Sequence, residues 1–143
     1  MRIRDLIGSF LVVLILISCQ KSDGEKETSE NVQIFNSISS TSSGLNFSNN
    51  LTENDSLNYL TYAYMYMGGG VAAGDIDNDG LVDLFFTGNM VPNKLYLNKG
   101  NLKFEDISDS AGVEGDDRWF TGVTMADVNG DGYLDIYCSV GGK

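Results

Sequence analysis

The sequence predicts an all-β fold built from a repeated unit. Residues 70–88 read GVAAGDIDNDGLVDLFFTG and residues 122–140 read GVTMADVNGDGYLDIYCSV, at a constant offset of 52 residues. In both copies an acidic loop with glycine is followed by β-branched and aromatic residues, which favour strands. A recurring period of this length indicates a repeat architecture in which neighbouring units bury each other's faces.

The strands of the first unit follow from this pattern. A tight turn at residues 98–101 (NKGN) separates two apolar runs. Four antiparallel strands in a unit of this size are typical of a propeller blade. Residues 118–127 begin the next blade, with Trp119 and Phe120 as packing anchors, and the chain then supplies about half of it. The four strands are predicted near residues 70–75, 82–88, 93–98 and 102–107.

Two further strands are predicted before the first repeat. Residues 44–49 (GLNFSN) form one short strand in this interpretation. In residues 57–67, Tyr62, Tyr64 and Tyr66 alternate with smaller or flexible side chains, which is strand spacing. We expect these aromatic residues to pack against a sheet face; a ligand-stacking platform is the alternative.

The acidic loops have the spacing of a calcium site. Ca²⁺ takes roughly six to eight oxygen ligands, and short side chains at positions 1, 3 and 5 of a tight loop converge on one point. Glycine at position 6 allows the sharp turn, position 7 offers a backbone carbonyl, and position 9 closes the shell. The predicted ligands are Asp75, Asp77, Asp79, Leu81 and Asp83 in the first loop, and Asp127, Asn129, Asp131, Tyr133 and Asp135 in the second.

An EF-hand does not fit these loops. That motif needs a bidentate Glu at position 12, where this chain has Phe86 and Cys138. The flanking segments also predict strands rather than helices. A merely solvated acidic turn is the remaining alternative, but it gives no reason for the same acidic positions to occur twice.

The first residues read as a targeting segment. Arg2 and Arg4 precede an apolar run that is too short to span a bilayer of about 30 Å as a helix. The run ends in Leu-Ile-Ser-Cys, which resembles the lipobox of bacterial lipoproteins and implies lipidation of Cys19. The predicted domains are a signal peptide (1–18), a flexible tether (19–43) and a partial propeller (44–143).

Composition excludes some function classes. The formal net charge is −11 and the chain contains no His. A phosphate backbone would be repelled, so nucleic acid is not an expected partner. With Cys19 lipidated, Cys138 stands alone, and a small buried thiol is the favoured interpretation of it.

The segments GGGVAAGDIDNDGLVDLFFTGN, NKLYLNKGNLKFEDI and TGVTMADVNGDGYLDIY carry a family resemblance. They resemble the FG-GAP/VCBS repeats of integrin-type β-propellers, in bacterial lipoproteins related to the cartilage acidic protein and ASPIC/UnbV group. The resemblance implies a propeller of about seven blades with calcium in the blade loops. It also implies attachment to the bacterial outer membrane. The acidic tract after Cys19 resembles a signal for export to the cell surface.

The function expected from these features is a calcium-stabilised binding or scaffold module for protein or glycan, not an enzyme. A fragment of a propeller-type polysaccharide-active enzyme is the alternative. The acidic neighbours Glu105–Asp106 and Asp116–Asp117 make poor acid–base pairs, because adjacent strand residues point to opposite faces. About one and a half blades do not close a propeller, so residues 20–143 alone are expected to aggregate or to melt with low cooperativity.

Overall fold

The computed structural model describes residues 33–141. All elements below lie in a compact unit that begins at Ser37. The predicted signal peptide, Cys19 and most of the tether lie outside the described residues. Within the predicted tether, Ser40–Ser43 forms a helical turn capped by the Ser39 side chain.

A four-stranded antiparallel sheet forms the first blade, as the sequence predicts. Its strands are β1 (Val71–Gly74), β2 (Asp83–Phe86), β3 (Lys94–Asn98) and β4 (Phe104–Asp106), in the order β1-β2-β3-β4. Each strand therefore pairs with its neighbour in the sequence, as in an up-and-down blade. Apart from short helical turns, the chain from Val71 onward is strand and loop, so the predicted all-β class is confirmed.

The second sheet has two strands within the described residues. They are β5 (Phe120–Ala126) and β6 (Asp135–Val140), which pair antiparallel with an irregularity between Phe120 and Gly122. This hairpin repeats the β1–β2 hairpin, with an acidic loop between the strands in both cases. The described residues therefore contain one four-stranded sheet and one hairpin of a second sheet.

The first and second sheets meet along β1 and β5. A methyl group placed on Gly70 would lie 2.7 Å from the backbone atoms Gly122 Cα and Val123 N. Only a residue without a side chain permits this close approach. The facing glycines therefore bring the first strands of the two repeats into direct backbone contact.

Buried polar groups fasten the same junction. Asn89 is 5% exposed, and its Nδ2 donates to the Phe120 carbonyl at 2.7 Å. The Phe120 N–H donates in turn to the carbonyl of Gly88. Asn93 Oδ1 accepts from the Gly88 N–H at 2.9 Å, which fixes the turn that presents Asn89. A satisfied buried network of this kind specifies one relative position of the two sheets.

Apolar side chains are buried on both faces of the first blade: Phe85 pairs with Leu95 on one face, and Tyr96 lies on the other. Phe86 packs edge-on against Tyr96 with 5.8 Å between ring centroids, and Phe47 stacks on Phe86 at 5.1 Å. The Tyr96 hydroxyl donates to Asn46 Oδ1 at 2.7 Å. The buried apolar side chains are Met65, Phe85, Leu95, Tyr96 and Phe120.

Both strands predicted before the first repeat are wrong. Residues 44–49 lie against the blade without joining a sheet, and residues 57–67 form turns that end in a 3₁₀ helix, Met65–Met67. The Asn58 side chain accepts from the backbone N–H groups of Leu60 and Thr61, and these local bonds replace a strand ladder.

The aromatic stripe in residues 57–67 is consequently not a packed sheet face. Tyr59, Tyr64 and Tyr66 are 58%, 65% and 62% exposed, while Tyr62 is half-buried against Trp119. The buried side chain of the segment is Met65. No helix within residues 33–141 is long and apolar enough to cross a bilayer.

Candidate metal centre

The first acidic loop joins β1 to β2 and is folded around its own carboxylates. Asp75 accepts from the Asp79 N–H through Oδ1 at 3.1 Å and from the Gly80 N–H through Oδ2 at 2.9 Å. Asp79 Oδ1 accepts from the Leu81 N–H at 2.8 Å. Asn78 and Gly80 have φ of 59° and 87°, in the left-handed region that Asn and Gly tolerate best.

The second loop, between β5 and β6, repeats this arrangement at the same offset. Asp127 accepts from Asp131 N at 3.2 Å and Gly132 N at 2.9 Å, and Asp131 accepts from Tyr133 N at 2.9 Å. At the position of Asn78 this loop has Gly130, with φ of 78°. The shared pattern of side-chain acceptors and left-handed residues gives both loops one conformation.

Three of the predicted ligands of the first loop converge. One carboxylate oxygen from each of Asp75, Asp77 and Asp83 lies within 4.8 Å of the other two. Calcium ligands sit at 2.3–2.6 Å from the ion, so oxygens on opposite sides are about 5 Å apart. The donor set, made only of hard oxygens with this separation, fits a calcium ion.

Asp79 and Leu81 have different surroundings. Asp79 lies outside the group of three, and one of its oxygens is engaged by the Leu81 N–H. Leu81 follows at position 7, where its carbonyl was predicted as a ligand. The structure therefore brings together the carboxylates of positions 1, 3 and 9, whereas the carboxylate of position 5 lies outside this group.

The second loop carries one carboxylate fewer. Asn129 stands in place of Asp77; its Oδ1 accepts from Asp131 N at 2.8 Å and its Nδ2 donates to Asp131 Oδ2 at 3.1 Å. Asp135 at position 9 accepts from the Val128 N–H at 3.0 Å. The negative charge of this loop is lower by one unit, and a neutral amide oxygen attracts a cation less strongly than a carboxylate.

Backbone donors stabilise the charged form of Asp127. The N–H of Gly132 makes the largest contribution; desolvation opposes it, and the N–H groups of Gly130 and Asp131 add to it. The pKa of Asp127 is therefore lowered from its ordinary value of 3.8. Its carboxylate is held deprotonated, which is the form that a metal ion requires.

Asp83 is the buried member of the group. Its side chain is 1% exposed; Oδ2 accepts from Ile76 N at 2.9 Å and Oδ1 from Asn98 N at 2.8 Å. The same carboxylate therefore ties the acidic loop to the end of β3. The sequence indicated a ligand at this position but gave no sign of the second role.

Lysine partners neutralise the acidic neighbours on β4. Glu105 pairs with Lys99 at 3.1 Å, and Asp106 pairs with Lys94 at 3.1 Å. Partial burial raises the pKa of Asp106, but the Ser108 side-chain and backbone donors and Lys94 outweigh it, so the net shift is downward. Such a carboxylate is a weak general acid at neutral pH.

Two other sequence candidates have ordinary surroundings. Asp116 pairs with Arg118, whose guanidinium lies over the Phe120 ring. Cys138 is half-buried on β6, and burial raises the pKa of its thiol. A thiol that stays protonated is a poor nucleophile, as expected for a packing role.

Comparison with known families identifies the repeat. Residues 75–138, from the first acidic loop to β6, match the model of FG-GAP-like repeats. This part of the chain is therefore similar to FG-GAP-like repeats, and the blade-like sheet with its acidic loop is consistent with this class of propeller repeat. The predicted FG-GAP resemblance is confirmed for this part of the chain.

Its relatives include cartilage acidic protein 1. The protein of Xenopus tropicalis is 43% identical over 72 residues, that of Mus musculus 41% over 69, and that of Homo sapiens 40% over 72. Each match covers about half of this chain, from 48% to 50%, and 11% of the relative. No solved structure shows significant similarity to the chain.

Proposed function

We propose that both acidic loops bind calcium and that the ions stabilise a binding module. The supporting observation is the convergence of three carboxylates in the first loop, within 4.8 Å of one another. The second loop supports the proposal through its matching hydrogen bonds. Residues Asp75, Asp77 and Asp83 would hold the first ion, and Asp127, Asn129, Asp131 and Asp135 would supply the second with side-chain oxygens.

The bound ion would offset repulsion between carboxylates. In the first loop four aspartates lie within nine residues of sequence, and Asp83 is buried. A divalent cation neutralises part of this charge and lowers the free energy of the folded loop relative to the unfolded chain. Affinity in the range of extracellular modules, with Kd on the order of 10⁻⁴–10⁻³ M, is expected for such loops.

Isothermal calorimetry tests calcium binding directly. The unaltered chain should release or absorb heat with Ca²⁺, and the double variant Asp77→Ala/Asp131→Ala, which removes one proposed side-chain ligand from each loop, should lose most of it. Mg²⁺ should compete poorly, because it demands a tighter octahedron and keeps its waters. The matched control, Asp55→Ala/Asp109→Ala, removes the same charge outside the loops and should bind normally. Equal heats in the two double variants would refute the assignment.

A protein or glycan ligand is proposed for the binding module. Three exposed tyrosines, at positions 59, 64 and 66, support this proposal because tyrosine offers a large apolar face with a polar edge. The alternative, a polysaccharide-active enzyme, has less support because lysines neutralise Glu105 and Asp106. A glycan array with the triple Tyr→Ser variant as control, run beside a hydrolysis screen, distinguishes the two functions. Turnover in the screen would favour the enzyme.

Membrane anchoring through Cys19 is proposed from the sequence alone. The lipobox resemblance implies acylation, and more than one acyl chain is enough for stable attachment. The bacterial outer membrane is the proposed location. Cys19→Ala should leave the membrane fraction or remain unprocessed, whereas Cys138→Ala should behave as the unaltered chain. Normal processing and membrane partitioning of Cys19→Ala would contradict the proposal.

A further inference from the structure

One side chain connects the two acidic loops directly. Asn78, at position 4 of the first loop, donates from Nδ2 to the backbone carbonyl of Gly132 at 3.0 Å. Gly132 is position 6 of the second loop. At the position equivalent to Asn78 the second loop has Gly130, which has no side chain to return the contact. The connection therefore runs in one direction, from the first loop to the second.

The acceptor belongs to a peptide unit that precedes a predicted ligand. The carbonyl of Gly132 is held by Asn78, and the N–H of the same peptide donates to Asp131 Oδ1 at 2.9 Å. Hydrogen bonds on both edges restrict rotation of this peptide, and this restricts the backbone that leads into the Tyr133 carbonyl. The equivalent peptide in the first loop is held at its N–H by Asp79, and the hydrogen bonds found in residues 33–141 give the Gly80 carbonyl no side-chain donor.

We propose that Asn78 is a positioning residue through which the first loop orders the second loop for calcium binding. The inference rests on the proposed calcium function. Asn78 lies between Asp77 and Asp79, so an ion in the first loop restricts the segment that carries it. With Asn78 restricted, less conformational entropy remains to be lost when the second loop closes on its ion. Occupancy of one loop therefore raises calcium affinity at the other, and the coupling is reciprocal.

Asn78→Gly is the appropriate variant. Asn78 has φ of 59°, and glycine keeps this conformation accessible while removing the donor. Glycine is also what the second loop has at this position. Gly130→Asn is the matched control, since it makes the reverse exchange and leaves Asn78 in place. Asn78→Asp is a second variant, because it keeps a residue that tolerates positive φ but turns an acceptor towards the Gly132 carbonyl.

Calcium titration followed by ¹⁵N–¹H NMR reads the loops separately. The N–H groups of Gly80 and Gly132 donate to Asp75 and Asp127, so each reports its own loop. The experiment uses the full chain in detergent, with CaCl₂ as the probe. Asn78→Gly should lower the calcium affinity reported by Gly132 about two- to tenfold, the range that the net free energy of one hydrogen bond gives. The affinity reported by Gly80 should change less than about twofold. Asn78→Asp should weaken the Gly132 response at least as much, and Gly130→Asn should not reproduce this loss.

A variant that removes a proposed ligand of the first loop distinguishes a positioning role of Asn78 from a general effect on stability. When Asn78 is present, Asp77→Ala should weaken the calcium affinity of the second loop, as reported by Gly132. In the Asn78→Gly background it should cause no further loss of that affinity. If Asn78→Gly and Asn78→Asp both leave the Gly132 affinity unchanged while both glycines respond to calcium, the positioning role is overturned and the calcium function stands. If neither glycine responds in the unaltered chain, the calcium function fails, and the inference fails with it.

Discussion

The two acidic loops have one conformation but different surroundings. Within each loop, the carboxylate of position 1 accepts from the N–H groups of positions 5 and 6, and the acceptor at position 9 holds the N–H of position 2. Asp83, however, is buried and also holds Asn98 N, whereas Asp135 is only half-buried. The nine residues of a loop thus encode its shape, while the surrounding strands determine how strongly position 9 is held.

The largest expected difference between the two loops is the loss of stability when the aspartate at position 9 is replaced by alanine. Asp83→Ala leaves two backbone N–H groups without their acceptor, and we expect a loss of about 2–5 kcal/mol in the free energy of unfolding. Asp135→Ala removes one bond in a more exposed place and should lose roughly half of that or less. Urea unfolding in EDTA measures both without a contribution from metal. Equal losses would mean that burial of Asp83 is not what distinguishes the loops.

A smaller difference in stability is expected between alanine variants of the two facing glycines, Gly70 and Gly122. In Gly70→Ala the new group would lie 2.7 Å from the backbone of Gly122 and Val123, so β1 and β5 must separate, at a cost of about 1–3 kcal/mol. In Gly122→Ala the nearest atom is the Ser139 hydroxyl, which can rotate away. Gly70→Ala should therefore have a clearly lower Tm than Gly122→Ala in thermal unfolding. The opposite order would contradict the close approach of the two strands.

The smallest expected effect is a pH dependence in the second loop. The pKa of Asp127 is lowered in the folded chain, so its contribution to stability is present above the unfolded pKa and is lost as pH falls through the lower folded value. The stability difference between the unaltered chain and Asp127→Asn should be constant near neutral pH and shrink below about pH 4. Urea unfolding from pH 7 to pH 3 tests this, and a difference that does not change with pH would contradict the shift.

The repeat itself made most of the fold predictable. An acidic loop with glycine, followed by β-branched and aromatic residues, appears twice, so the positions of β1, β2, β5 and β6 follow from one pattern. The turn at residues 98–101 then separates β3 from β4. Local signals sufficed here because each strand pairs with its sequence neighbour. The loop conformation was predictable for the same reason, since its hydrogen bonds lie within nine residues.

The segment before the repeat shows where the pattern fails. Tyrosines at alternate positions in residues 57–67 satisfy the spacing of a strand, but Asn54 and Asn58 occupy the backbone donors that a strand would use. Short polar side chains compete with a ladder in this way, and the competition is not visible from hydrophobic periodicity. Asparagine spaced by four residues before the tyrosines is the signal that would have indicated turns.

Contacts between the repeats were not predictable from residue type. Asn89 and Asn78 each reach across to the second repeat, one in a buried network and the other at the surface. Asparagine in a loop ordinarily indicates a turn, and nothing in its immediate neighbours identifies a partner more than 30 residues away. The buried position of Asp83 likewise depends on β3, which is separate from the loop in sequence.

Residues 44–50 give the first blade a mechanical property. They fasten to it through Phe47 on Phe86, Asn46 on Tyr96, and Asn49 on Asn89, all by side chains rather than by a strand ladder. Tension applied from the N-terminal side would reach these contacts before it reached any strand of the sheet. They would open one after another at low force, lengthening the chain by up to about 3.3–3.6 Å per residue. The segment would absorb extension while β1–β4 and both acidic loops kept their shape.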